Sequence, residues 1–230
     1  MSKYPRRIKS YGGKQKVLPI KDKKMLNRVM DYWRYLIEHA PTQKKRDQAY
    51  RNYMLFLIGF NTAFRAEDLL QLKVKLVIKG YFSIKENKTK KWQHFKMNKE
   101  LHQEILDYIA YFELKESDYL FMGQKKHETK GNRTFDVIYP MTRQNCEDII
   151  FPKVINACGI DFPFGLHSLR KTFGYQYIKN GGNMLTLQKM YNHDSLDVTL
   201  LYVMWDNSDV AETRASVYIG GRKKYEKSDK

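Results

Sequence analysis

Read from the amino terminus, the apolar positions first fall into a period at residue 22. In DKKMLNRVMDYWRYLIEHA, residues Met25, Leu26, Val29, Met30, Trp33, Leu36 and Ile37 recur three and four apart, which puts them on one face of a helix. Asp22 stands where it can cap the start, and Pro41 lies just past the end. A second helix is predicted from about Lys44 to Phe60, and NTAFRAEDLLQLK reads as a turn feeding a short helix. The period then shortens. KLVI, YFSIKE and WQHFKM are β-type runs separated by Lys79-Gly80 and by the charged NKTKK, and they predict a small antiparallel sheet. Helical spacing returns in NKELHQEILDYIAYF, TRQNCEDIIFPKVINA, GLHSLRKTFGYQYIKNGG, NMLTLQKMYNH, SLDVTLLYV and about Ser208 to Tyr218. The stretch from Gly123 to Phe135, rich in Lys, Gly and Asn, is expected to be a surface loop or insertion. The fold class is therefore mainly α with a small antiparallel β-sheet.

Composition narrows the use of such a fold. With 42% hydrophobic and 14% aromatic residues, a 230-residue chain has material for a core of its own, which argues against disorder over most of its length. The net charge of +17 favours polyanions, because each phosphate neutralised releases condensed counterions, and double-stranded DNA is the expected partner. Ribosomal association, an anionic membrane surface and solubility alone are the rival readings of that charge. The most apolar run, YMLFLIGF from Tyr53 to Phe60, is far shorter than the roughly 20 residues a membrane helix needs. The first residues carry no apolar centre of a signal peptide, so a cytoplasmic protein is expected, with no membrane partner. Cys146 and Cys158 form no disulfide framework or ligand pair, and neither a metal nor another cofactor is expected. Residues 1–17 are polar, basic and broken by Gly12-Gly13, and read as a flexible arm, either a plain tail or one that tracks DNA; residues 220–230 read as a basic tail.

Chemistry concentrates on the helix of residues 165–182. His167 and Arg170 lie one turn apart on a shared face, with Lys171 beside them. A guanidinium stays charged and offers a fork of donors that fits phosphate, and a histidine one turn away adds a further hydrogen bond. Upstream, Arg65 opens a short helix with Asp68 one turn on, and Lys88 sits at a hairpin tip among Lys85, Lys90 and Lys91. Downstream, His193 precedes a helix that ends near Tyr202. Each has a plainer reading as a cap, a solvated charge or a packed aromatic, and among 17 tyrosines one alone signifies nothing.

In order and spacing these segments resemble the tyrosine recombinase (phage integrase) family, over roughly Lys16 to Val217. TAFRAEDLLQL is similar to its first arginine motif, NKTKK to its hairpin lysine, HSLR to its His-x-x-Arg box and NHDS to its Gly-His-Ser segment, and Tyr202 lies nine residues after His193, where the nucleophile belongs. The resemblance implies the integrase catalytic-domain fold over residues 18–219. It implies phosphate binding by Arg65, His167, Arg170 and His193, a supporting carboxylate at Asp68, Lys88 as general acid and Tyr202 as nucleophile. Two departures stand out. Too few residues precede the catalytic part for a separate N-terminal core-binding domain, and Ala63-Phe64 and Asn192 replace the usual Gly-Leu and Gly. Asn retains tolerance for positive backbone angles.

The activity so implied is site-specific recombination through a 3′-phosphotyrosyl intermediate, by a dimer or tetramer on DNA, at the nucleoid if the source is bacterial or phage. A DNA-binding regulator on the same fold and a type IB topoisomerase-like enzyme are the alternatives.

Overall fold

The computed structural model describes residues 17–217 apart from Thr89, Gly131 and Asn132. The arm expected over residues 1–17 lies outside the described residues except for Val17, as do residues 218 and 219 and the tail expected over 220–230.

Helix α1 (Lys23–Glu38) starts where the sequence predicts, with the Asp22 carboxylate accepting from the Lys24 and Met25 amides at 3.1 Å each. Helix α2 (Gln43–Asn61), capped by Thr42, buries Tyr53, Met54, Leu55, Phe56, Ile58 and Gly59. The second half of α2 is apolar on nearly all sides, as suits a segment inside a domain, and α2 is packed between α1 and α7 (Leu166–Lys179). Gly59 permits the second contact, since a Cβ there would stand 2.6 Å from Leu169 Cδ1. After α3 (Ala66–Leu70), strands β1 (Tyr81–Lys85) and β2 (Trp92–Lys96) pair antiparallel with Phe82 opposite Phe95. The Phe64 ring lies 4.9 Å from that of Phe82 and 5.5 Å from that of Phe95, which ties this hairpin to the turn before α3. Helix α4 (Lys99–Tyr111), capped by Asn98, adds Leu101, Ile105, Tyr108 and Ile109 to the same core.

Two expectations are corrected. KLVI is not a strand: Val74–Leu76 forms a single 3₁₀ turn, in which Val74 and Val77 are fully buried and the Val77 amide bonds the Val74 carbonyl at 3.0 Å. Its β-branched residues fill the core, which a run of four cannot distinguish from strand pairing. Nor is the stretch from Gly123 to Phe135 a loop. Strands β3 (Met122–Lys130) and β4 (Arg133–Pro140) form a second antiparallel hairpin, so the described residues hold two two-stranded sheets rather than one. Asp136 pairs with Lys125 and, at 2.7 Å, with His127, and Thr129 faces Thr134. Cross-strand polar pairs stabilise this hairpin, and its two exposed faces leave no apolar alternation to read.

The chain then becomes helical to its described end. Helix α5 (Arg143–Asn145) runs through a π turn at Cys146–Ile150 into α6 (Phe151–Cys158). Pro152, which has no amide to donate and crowds the preceding turn, accounts for the widened turn. Gly159, at φ 65°, ends α6. Helices α8 (Met184–Tyr191), α9 (Leu196–Val203) and α10 (Asn207–Ser216) follow α7, and a smaller cluster of Ala63, Leu187, Tyr191 and Val203 holds the first two to it. Among the described residues no helix is long and apolar enough to cross a membrane.

Gly174 is what allows α8 and α9 to approach α7. A methyl there would overlap the Tyr191 hydroxyl and lie 2.8 Å from Val203 Cγ1. Gly174→Ala is expected to lower stability by about 1–3 kcal/mol through overpacking, outweighing a helix-propensity gain of about 1 kcal/mol. The urea midpoint measures this, and an unchanged or higher midpoint contradicts the packing.

Candidate active site

His167, Arg170 and Lys171, at i, i+3 and i+4 of α7, all face one cleft of about 630 Å³. Arg170 is only 2% exposed. It donates to the carbonyls of Ala63 and, at 2.9 Å, Tyr191, and its guanidinium carbon stands 4.4 Å from the centre of the Tyr191 ring and 5.7 Å from that of Tyr202. Burial pulls its pKa down, so the site holds a cation at a cost that an arriving anion would relieve.

Arg65, at the start of α3, reaches the same Tyr191 carbonyl at 3.2 Å. It also pairs with Glu86, which is 1% exposed and accepts from Gln93 Nε2 at 2.6 Å. Two guanidinium groups from distant parts of the chain thus converge on one carbonyl at the end of α8. Tyr191 is itself fixed by its hydroxyl, which donates to the Arg170 carbonyl at 2.6 Å.

Of the seven residues expected from sequence, six line the cleft: Arg65, Lys88, His167, Arg170, His193 and Tyr202. Asp68 does not. It is buried, and its Oδ1 accepts from the Asn87 amide at 2.8 Å, holding the turn between β1 and β2 that presents Lys88. Burial lifts the Asp68 carboxyl above its usual range, against the pull of that hydrogen bond. Asn192 closes α8 at φ 51°, the left-handed conformation expected where a glycine is usual, and so turns His193 into the cleft. His193 Nδ1 lies 3.1 Å from Thr199 Oγ1 on α9, and its ring is 5.1 Å from that of Tyr202.

Tyr202 is half-buried on α9, with Lys171 Nζ 5.2 Å from its ring centre. Burial raises its hydroxyl pKa, while Arg170 and Arg65 oppose the rise, so the phenol is protonated in the free protein and those cations favour its anion. His167 is lowered to about 4, first by burial and then by Arg143, Arg170, Lys171 and Arg65. His193 is lowered to about 4 by burial, Arg170 and Arg65. Both imidazoles are neutral at pH 7. Among the described residues His167 Nδ1 is buried without a hydrogen-bond partner.

Sequence reasoning missed Glu86, Tyr191 and Arg143. Glu86, a lone carboxylate in the cationic run around Lys88, carried a legible signal. Tyr191 acts through its backbone carbonyl, which no side-chain pattern reveals, and Arg143 lines the cleft only because the β3–β4 hairpin returns it there. Glu67 and Asp194 also line the cleft, so it is not uniformly basic. Among the described residues no group of three or more His, Cys, Asp or Glu side chains is placed to hold a metal ion.

The phage integrase family model matches residues 22–208. The chain belongs to the phage integrase family. Among this family's members, the chain is 32% identical over 197 residues to the probable integrase/recombinase YoeC of Bacillus subtilis (strain 168), covering 85% of this chain and 94% of that one. Among solved structures it is similar to the XerA recombinase, with TM-score 0.62 and 18% identity over 88% of this chain and 67% of that one. It is also similar to the XerH site-specific recombinase bound to palindromic difH substrate in a post-cleavage complex, with TM-score 0.59 and 19% identity over 90% of this chain and 55% of that one. At these identities the two structures show the integrase catalytic fold.

The histidines make a pH prediction. Between about pH 4 and 6.5 each binds fewer protons folded than unfolded, so their contribution to stability is whole above pH 6.5 and falls as the pH drops toward 4. Urea midpoints are expected to decline across that window, and His167→Gln with His193→Gln is expected to flatten most of the decline. An equally steep decline in the double variant would show that the histidines are not the titrating groups.

Proposed function

We propose that this chain is a tyrosine-type site-specific DNA recombinase that cleaves and rejoins double-stranded DNA through a 3′-phosphotyrosyl intermediate. The observation that carries the reading is the gathering of Arg65, Lys88, His167, Arg170 and His193 around Tyr202 in one cleft. Five groups capable of donating to phosphate or to a leaving oxygen surround one hydroxyl, which is what in-line attack on a phosphodiester requires.

In this mechanism the Tyr202 oxygen attacks phosphorus and the bond to the 5′-oxygen breaks. The phenolic proton passes to a neutral imidazole of the cleft, His193 being the nearer ring, and Lys88 supplies the proton that the departing 5′-oxygen takes up. Arg65 and Arg170 bear the negative charge on the nonbridging oxygens. The ester preserves the energy of the broken bond, so a 5′-hydroxyl from a partner strand attacks it and completes the exchange. Because four strand ends must be exchanged in pairs, copies of the chain act together on DNA, as a dimer or tetramer. Leu200 and Leu201, 40% and 66% exposed on α9, give such copies an apolar surface beside the nucleophile. Such an enzyme works at the nucleoid if its source is bacterial or phage.

Covalent capture tests the reading. Genomic fragments retained by the purified protein, nicked beside the bound site so that the cleaved strand is lost, are expected to give an SDS-resistant adduct with wild type and none with Tyr202→Phe. Specific binding without an adduct would mark a DNA-binding regulator, and relaxation of any supercoiled plasmid would mark a topoisomerase.

A further inference from the structure

The segment from Val17 to Lys21 lies across α7 in a way that packing alone does not require. Its amides, carbonyls and one side chain are bonded along the whole crossing. The Lys171 ammonium donates to the Val17 carbonyl at 2.8 Å, and the Ile20 amide donates to Thr172 Oγ1 at 2.9 Å. The Gln176 amide donates to the carbonyls of Ile20 and Lys21 at 3.4 and 3.1 Å. Both ends of the segment touch the surroundings of Tyr202. Val17 lines the active-site cleft, and Lys171, which holds it, sits over the Tyr202 ring. At the other end Lys21 Nζ bridges Asp206 at 2.7 Å and Asp209 at 2.6 Å, just beyond the end of α9.

Helix α9 needs such support. It has eight residues, of which only Thr199 and Val203 are buried, while Leu200 and Leu201 face outward. Its N-terminal end is fixed by the Ser195 cap and by Thr199 beside His193. Its C-terminal end passes through Met204, at φ 59°, directly into Asp206, the cap of α10. Asp209, 5% exposed, accepts from the Tyr175 hydroxyl at 2.5 Å and from the Asp206 amide at 2.9 Å. Lys21 thus supplies the cation for a carboxylate pair whose backbone begins four residues after the nucleophile.

We propose that residues 17–21 form a strap that positions Tyr202, with Lys21 as a positioning residue rather than a DNA contact or a catalytic residue. The proposal rests on the recombinase reading. With the strap bound, α9 is held at both ends and the Tyr202 hydroxyl is kept over Arg170. Without Lys21 the carboxylates of Asp206 and Asp209 repel each other, the turn after α9 loosens, and the hydroxyl samples positions from which it cannot reach phosphorus.

The test measures adduct formation and DNA affinity separately, on the nicked fragments and with the full chain. Lys21→Met is expected to slow adduct formation at saturating DNA at least tenfold while changing the dissociation constant less than about threefold. Lys21→Arg, which can still span both carboxylates, is expected to recover most of the rate. Asp206→Asn, altering the exposed member of the pair, provides a milder second variant and is expected to slow the reaction several-fold with native melting behaviour. A wild-type rate in both Lys21→Met and Asp206→Asn would overturn the strap while leaving the recombinase reading intact. Affinity lost in proportion to rate would make Lys21 a DNA contact and overturn it likewise. If wild type itself forms no adduct, the recombinase reading falls, and the strap with it.

Discussion

The structure is organised around a buried cation. Arg170 lies almost wholly inside the protein, held by carbonyl oxygens and by the faces of tyrosine rings. Such partners are dipoles and quadrupoles, which compensate a desolvated charge only in part. The rest of the site follows from that shortfall. The Tyr191 carbonyl takes both Arg170 and Arg65, Glu86 is buried to neutralise one of the pair, and both nearby imidazoles, made neutral first by their own burial, are held so further by the surrounding cations. An arriving phosphodiester would complete a charge balance that the protein leaves open. Binding energy and transition-state stabilisation then come from the same groups, because the charge they hold in place grows as phosphorus is attacked.

The scaffold carries this arrangement by close approach. Gly59 admits Leu169 against α2, and Gly174 admits Tyr191 and Val203 against α7, so the helix bearing Arg170 is packed on both sides at distances a side chain would forbid. Helix α9, which carries the proposed nucleophile, is less deeply set. Thr199 and Val203 are its buried residues, and besides the packing of Val203 and Tyr202 against the smaller cluster it is attached at its two ends. A preformed pocket beside a less deeply set Tyr202 suits the proposed reaction, in which phosphate binds before Tyr202 attacks.

How much of this was legible in the sequence follows from the kind of interaction involved. Amphipathic helices such as α1 announce themselves through spacing and caps, and reactive side chains announce themselves through order along the chain. The cleft brings together Arg65, Lys88, His167, Arg170, His193 and Tyr202 although 137 positions separate the first from the last. Asp68, expected as a supporting carboxylate, stands outside the cleft lining, where its Oδ1 accepts from the Asn87 amide in the turn that carries Lys88. What escaped has no one-dimensional signature. The β3–β4 hairpin is exposed on both faces, Val74 and Val77 are apolar without being in a strand, and the Tyr191 carbonyl is a backbone group that no side-chain pattern reveals.

The central claim is that Arg65 and Arg170 act by neutralising the nonbridging oxygens of the attacked phosphate. Replacing that phosphate with a methylphosphonate removes its negative charge while keeping the same 5′-oxygen leaving group. The measurement is the rate of adduct formation on both substrates, for wild type and for Arg65→Gln, in which the new amide can still donate to Glu86. The account predicts that Arg65→Gln is slowed at least a hundredfold on phosphodiester and recovers most of that loss on methylphosphonate. An equal loss on both substrates would contradict it, and would assign Arg65 to holding the fold rather than the charge.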